Sequence, residues 1–134
     1  MNRKTARENA FILLFEGASK SDETAEEIFD KAVGIRELEC DDYVKCVFFG
    51  YYENARAIGE CIDKCLVGWK RERVSIASTA ILRLATYELM FMEDIPAKVS
   101  INEAIEIAKK YDDEKAYSFV NGVLNAVAEE LARK

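Results

Sequence analysis

Three groups of residues have types and spacings that chemistry could use. Cys61 and Cys65 stand four apart, one helical turn, with Cys40 and Cys46 upstream. Zinc sites favour C-x-x-C pairs and loop-borne ligands, so four-residue spacing argues for small hydrophobes in a core. Glu103 and Glu106 are carboxylates three apart, a pairing that acid–base catalysis can use. A simpler account is available. Ser100 and Glu103 form S-x-x-E, the spacing of a capping box, which leaves Glu106 on an exposed polar face. The sequence contains no histidine, which removes the commonest general base and metal ligand. No G-x-x-x-x-G-K-[ST], G-x-G-x-x-G or G-x-S-x-G occurs. These observations point away from an enzyme, and no cofactor is implied.

The third group is cationic. Arg3, Lys4 and Arg7 precede and open the first helical pattern. A cation in that first turn opposes the helix dipole by about 0.3–1 kcal/mol when exposed. Three of them at the unfavourable end predict an anion to bind. A further signal is FVNGV, Phe119–Val123. Gly122 within a helix costs about 1 kcal/mol relative to alanine, which predicts a close approach by another helix or a ligand backbone. Asn121 beside it offers a donor and an acceptor.

The elements that must position these residues are helical. Thr5 and Glu8 suggest a capping box for a helix from Thr5 to Gly17. A second helix is expected from Asp22 to Val33, with Gly34 at its C′ position. Asp41 or Asp42 opens a helical stretch to Val67, ended by Gly68. Gly50 and Gly59 lie inside it and mark close packing or a bend. WKRERVSIAS is a connector. Ser78–Met92 is apolar on nearly every side, with Arg83 and Glu88 its only charges, so it belongs at the centre of a bundle. Pro96 biases Ile95 away from helix. The helix capped by Ser100 runs to Tyr111, with Lys109 and Lys110 in its last turn. Asp112 and Asp113 turn the chain into a last helix, Glu114–Ala132. No alternating strand pattern appears. The expected fold class is all-α, with six or seven helices in one domain over residues 1–134.

Net charge is −6, with acid concentrated at Asp22–Asp30 and Glu37–Asp42. That excludes a general nucleic-acid coat. Residues 64–73, by contrast, carry Lys64, Lys70, Arg71 and Arg73 against Glu72. No run approaches the roughly 18–20 apolar residues of a membrane span, and Phe11–Phe15 is too short for an export signal. A cytoplasmic protein with reduced cysteines is expected.

Four segments together resemble a known family. ILRLATYEL (Ile81–Leu89), IPAKVSINEAIEIAKKY (Ile95–Tyr111) and KAYSFVNGVLNAV (Lys115–Val127) are similar to the three C-terminal signatures of the NusB family, and KTARENA to its first helix. The resemblance covers essentially the whole chain. It implies a compact helical bundle in two packed subdomains, and a bacterial factor for transcription antitermination. It implies binding of single-stranded boxA RNA jointly with NusE, a small-subunit ribosomal protein, within the transcription elongation complex on ribosomal RNA operons. Family members occur as monomers and as homodimers. Carried over by motif, the RNA surface comprises Arg3, Lys4 and Arg7, then Lys115, Ser118, Phe119 and Asn121. The partner surface includes Glu72, Ser78 and Arg83. For Phe119, base contact and core packing remain equally open, since it also lies on the inward stripe. The competing reading is an acidic helical interaction module or homodimer without an RNA role.

Overall fold

The computed structural model describes residues 1–19 and 22–133, and among them it contains seven α-helices and no strand. They are α1 (Arg3–Ser19), α2 (Ala25–Phe29), α3 (Asp42–Glu53), α4 (Ala55–Lys64), α5 (Ile76–Phe91), α6 (Ala97–Tyr111) and α7 (Ala116–Glu130). A π-helical segment, Asp30–Ile35, continues α2, and a single 3₁₀ turn, Arg71–Arg73, lies in the connector before α5.

α5 is the axle. Its all-round apolar surface has neighbours on every side: α1, α3, α4, α6 and α7 all pack against it. Ile81, Leu82, Leu84, Ala85 and Leu89 are almost completely buried there. α1, α2 and α3 pack among themselves on one side, and α4, α6 and α7 surround α5 on the other. One apolar core runs through both groups.

The helix starts differ from expectation in instructive ways. α1 begins two residues earlier than the Thr5 reading, because Asn2 Oδ1 accepts from the Thr5 N–H at 2.8 Å. A full capping box occurs instead at Thr24 and Glu27. α6 begins at Ala97, directly after Pro96, so Ser100 and Glu103 lie inside the helix and cap nothing. α5 begins at Ile76, where Ser75 Oγ accepts from the Ser78 N–H at 2.9 Å.

The stretch from Asp42 to Val67 is two helices. The break is at Asn54, whose side-chain amide donates back to the Gly50 carbonyl at 2.8 Å. Gly50 marks close packing: a Cβ there would lie 2.5 Å from the Tyr87 ring. Gly59 and Gly122 mark no close approach within the fold, since a Cβ at either would meet nothing within 4 Å. Gly34 lies inside the π-helical segment rather than after a helix end. Gly68, with φ +86°, turns the chain out of the α4 region.

Candidate nucleic-acid interface

The cationic start of α1 divides into two kinds of residue. Arg3 and Lys4 are exposed, and neither has a carboxylate at ion-pair distance among the described residues. Arg7 points inward and is only 6% exposed. The expectation of three free cations there is therefore corrected to two. Arg7 meets a buried carboxylate: its Nε donates to Glu88 Oε2 at 2.8 Å and its Nη2 lies 3.4 Å from Glu88 Oε1. Its Nη1 lies 3.6 Å from Glu103 Oε1.

Glu88 is the hub of this arrangement. It sits on α5 at 1% exposure. Besides Arg7 of α1, it accepts from the Tyr43 hydroxyl of α3 and, at 2.7 Å, from Ser100 Oγ of α6. One carboxylate thus ties four helices together. Burying it unpaired would be prohibitive, and pairing with donors from three directions makes it tolerable. Burial and the adjacent Glu88 push the Tyr43 hydroxyl far above its usual range, so it stays a donor. The Arg3 guanidinium lies over the Tyr43 ring, 4.5 Å from its centroid. The buried network thereby holds the root of the exposed cationic edge.

Beside Lys4, the end of α6 supplies more cations. Lys4, Lys109 and Lys110 line one shallow groove with Glu8, Glu103 and Glu106. Lys110 is paired with Glu8 at 2.6 Å, and Lys109 with Glu106 at 3.8 Å. Lys109 also lies 5.5 Å from the centroid of the Tyr117 ring on α7. The starts of α1 and α7 are therefore linked across the end of α6. Lys109 and Tyr117 carried a readable signal, a cation and an aromatic flanking the Asp112–Asp113 turn; sequence reasoning assigned Lys109 to the helix dipole and passed over Tyr117.

At the start of α7, Lys115 and Ser118 are exposed. The turn before it is tightly held: Asp113 Oδ1 accepts from the N–H groups of Lys115 and Ala116 at 3.0 Å. Phe119 is 9% exposed, and its ring packs T-shaped against Trp69, 4.7 Å between centroids. Of the two readings of Phe119, the structure favours core packing. Asn121 is exposed, and its side chain and carbonyl accept from the Asn125 amide.

The expected partner residues do not form one set. Glu72 is exposed on the 3₁₀ turn. Ser78 is buried, its hydroxyl donating to Asp112 Oδ2 at 2.7 Å, so it offers no free hydroxyl to a partner. Arg83 is half-buried over the Tyr51 ring, 5.0 Å from its centroid. Three of the four cysteines serve packing: Cys61 is buried, Cys40 and Cys65 are half-buried, and burial raises the pKa of these three thiols, while Cys46 is exposed with its Sγ 3.4 Å from the Tyr87 hydroxyl.

A model of the NusB family matches residues 4–129. This chain belongs to the NusB family. The transcription antitermination protein NusB of Clostridium perfringens is 44% identical over 131 residues, covering 95% of this chain and 96% of that protein. NusB of T. maritima shares the fold with a TM-score of 0.83 at 37% identity, over 97% of this chain and 92% of that one. A chain from a crystal structure of the antitermination factors NusB and NusE in complex with dsRNA matches with a TM-score of 0.83 at 30% identity, over 96% of each chain. The NusB of Clostridium botulinum, 45% identical over 132 residues, is likewise a transcription antitermination protein and not an enzyme.

Proposed function

We propose that this chain is a cytoplasmic transcription antitermination factor that binds boxA-type RNA jointly with NusE and supports transcription of ribosomal RNA operons within the elongation complex. Residues 1–134 act as one RNA-binding domain. The observation that carries the reading is the set of exposed cations with no carboxylate partner among the described residues, Arg3 and Lys4 on α1 and Lys115 directly before α7, joined across α6 by Lys109 and Tyr117. Its weight comes from family membership together with a relative solved beside NusE and RNA.

The charge distribution also explains why a partner is needed. Three phosphate contacts on single-stranded RNA give a log–log salt slope of about −2, from roughly 0.7 per phosphate. Contacts of that kind hold RNA at roughly 10⁻⁴–10⁻⁶ M in physiological salt. A chain of net charge −6 adds no long-range attraction. A basic protein bound to the same RNA supplies it, and the acidic surface here suits docking to one.

Fluorescence titration of boxA RNA, with and without NusE and at two salt concentrations, tests this. Weak binding by the chain alone, tightened by NusE, is expected. Replacing Arg3, Lys4 and Lys115 together by alanine weakens binding and flattens the slope. RNA affinity indifferent to all three substitutions refutes the reading and leaves an acidic interaction module.

A further inference from the structure

Trp69 is the chain's only tryptophan, and it stands 53% exposed on the connector between α4 and α5. Sequence reasoning left Phe119 open between base contact and core packing. The structure buries Phe119 beneath Trp69, so the aromatic surface presented at this edge belongs to Trp69. Between Trp69 and the start of α7 lies an open cavity of about 420 Å³. Lys70, Arg73 and Lys115 line it, and among the described residues none of these cations has a carboxylate at ion-pair distance. Two acidic residues also border it, but both are engaged. Asp112 accepts from Ser75 Oγ at 2.6 Å and from Ser78 Oγ at 2.7 Å, and Asp113 accepts from backbone N–H groups.

We propose that this cavity is a nucleobase subsite, in which an unpaired base of bound single-stranded RNA stacks on Trp69 while its flanking phosphates meet Lys70, Arg73 and Lys115. The inference rests on the RNA-binding reading and deepens it. A plane of exposed indole beside unpaired cations is the combination that single-stranded nucleic acid uses: every base has a π-face, and every linkage a negative charge. An apolar peptide would satisfy the indole and leave three cations uncompensated. The subsite also continues the surface already described, since Lys115 lines the cavity and directly precedes α7, the helix of Tyr117, which faces Lys109.

The test uses the whole chain labelled with 5-fluorotryptophan, which gives one fluorine resonance, from position 69. A boxA-type oligoribonucleotide should shift that resonance, whereas NusE alone should not. Trp69→Ala should weaken RNA binding, read by anisotropy of labelled RNA, by about tenfold, in line with aromatic stacking in other single-strand binders. Trp69→Phe should retain most of the affinity. The residue is surface-exposed, and a circular dichroism melt of each variant confirms folding. RNA binding at wild-type affinity with an unmoved resonance and an unaffected Trp69→Ala variant overturns the subsite and leaves the functional reading intact. A shift produced by NusE alone, with no further change on adding RNA, assigns the cavity to the protein partner and also overturns it. A wild-type chain that binds no RNA, with or without NusE, overturns both.

Discussion

Replacing Glu88 by glutamine would keep its shape and remove its charge, and the cost follows from its surroundings. Arg7, 6% exposed, would lose its partner at 2.8 Å and retain only Glu103 at 3.6 Å. Tyr43 donates to one carboxylate oxygen and Ser100 to the other, so only one of the two hydroxyls would keep its acceptor in the amide. The new amide would place its N–H groups against guanidinium N–H groups. Removing one partner of a buried ion pair costs about 3–5 kcal/mol. The residual contact to Glu103 places Glu88→Gln near the lower end, at about 3 kcal/mol. With a urea m-value of roughly 1.5 kcal/mol/M for a chain of this size, the midpoint falls by about 2 M. Arg7→Met, which strands the carboxylate, should cost a similar amount. The double variant should cost less than the sum of the singles by at least about 2 kcal/mol, because each single leaves a charge that the other removes. Equilibrium urea denaturation of the four proteins reads this directly. Single-variant costs below about 1 kcal/mol, or costs that simply add, would refute the claim that the pair is a coupled buried unit.

Other outcomes follow from the same structure. Ser100→Ala removes a hydroxyl donated to a buried charge and should cost about 1.5–3 kcal/mol in urea denaturation, whereas a lost helix cap would cost about 1. Thr24→Ala, which removes the capping box present at α2, should cost about 1 kcal/mol by the same measurement. Gly50→Ala drives a Cβ into the Tyr87 ring and should destabilise by about 1–3 kcal/mol, while Gly122→Ala, with open space around it, should stabilise by about 0.5–1; equal signs for the two in thermal melts would contradict the packing described. The Tyr43 hydroxyl has its folded-state pKa raised, so the unfolded chain loses that proton first as pH rises. Its contribution is complete below about pH 10 and declines by about 1.4 kcal/mol per unit above it. The stability gap between wild type and Tyr43→Phe should therefore narrow over that range in urea titrations, and a gap independent of pH would count against the buried hydroxyl.

The position of α5 was legible because its residues are apolar all round, and only a central helix can bury such a surface. The break at Asn54 was not, because Tyr51, Ala55 and Ile58 keep helical spacing straight across it. Ser100 and Glu103 were misread for a geometric reason. A spacing of three serves a cap at a helix start, and the same spacing within a helix puts two side chains on one face. The start at Ala97 decides between them, and it places Ser100 toward α5 and Glu103 toward α1. Arg7 looked free because its acceptor is 81 residues away. Arg3, Lys4 and Lys115 were readable as cations but not as unpaired ones, since only the structure shows that the nearby Glu8 and Asp113 are engaged by Lys110 and by backbone N–H groups. Trp69 was passed over because the connector has no periodicity, and its contact with Phe119 exists only in three dimensions.

The 81-residue interval between Arg7 and Glu88 has a consequence for biosynthesis. At roughly 5–20 residues per second, a ribosome needs several seconds to advance from one to the other. Throughout that time the leading helix carries a hydrated guanidinium with no interior to enter, and the ring under Arg3 has no anchor for its hydroxyl. The start of α1 is thus translated early and seated late, and it gains its buried anchor only after the middle helix has emerged.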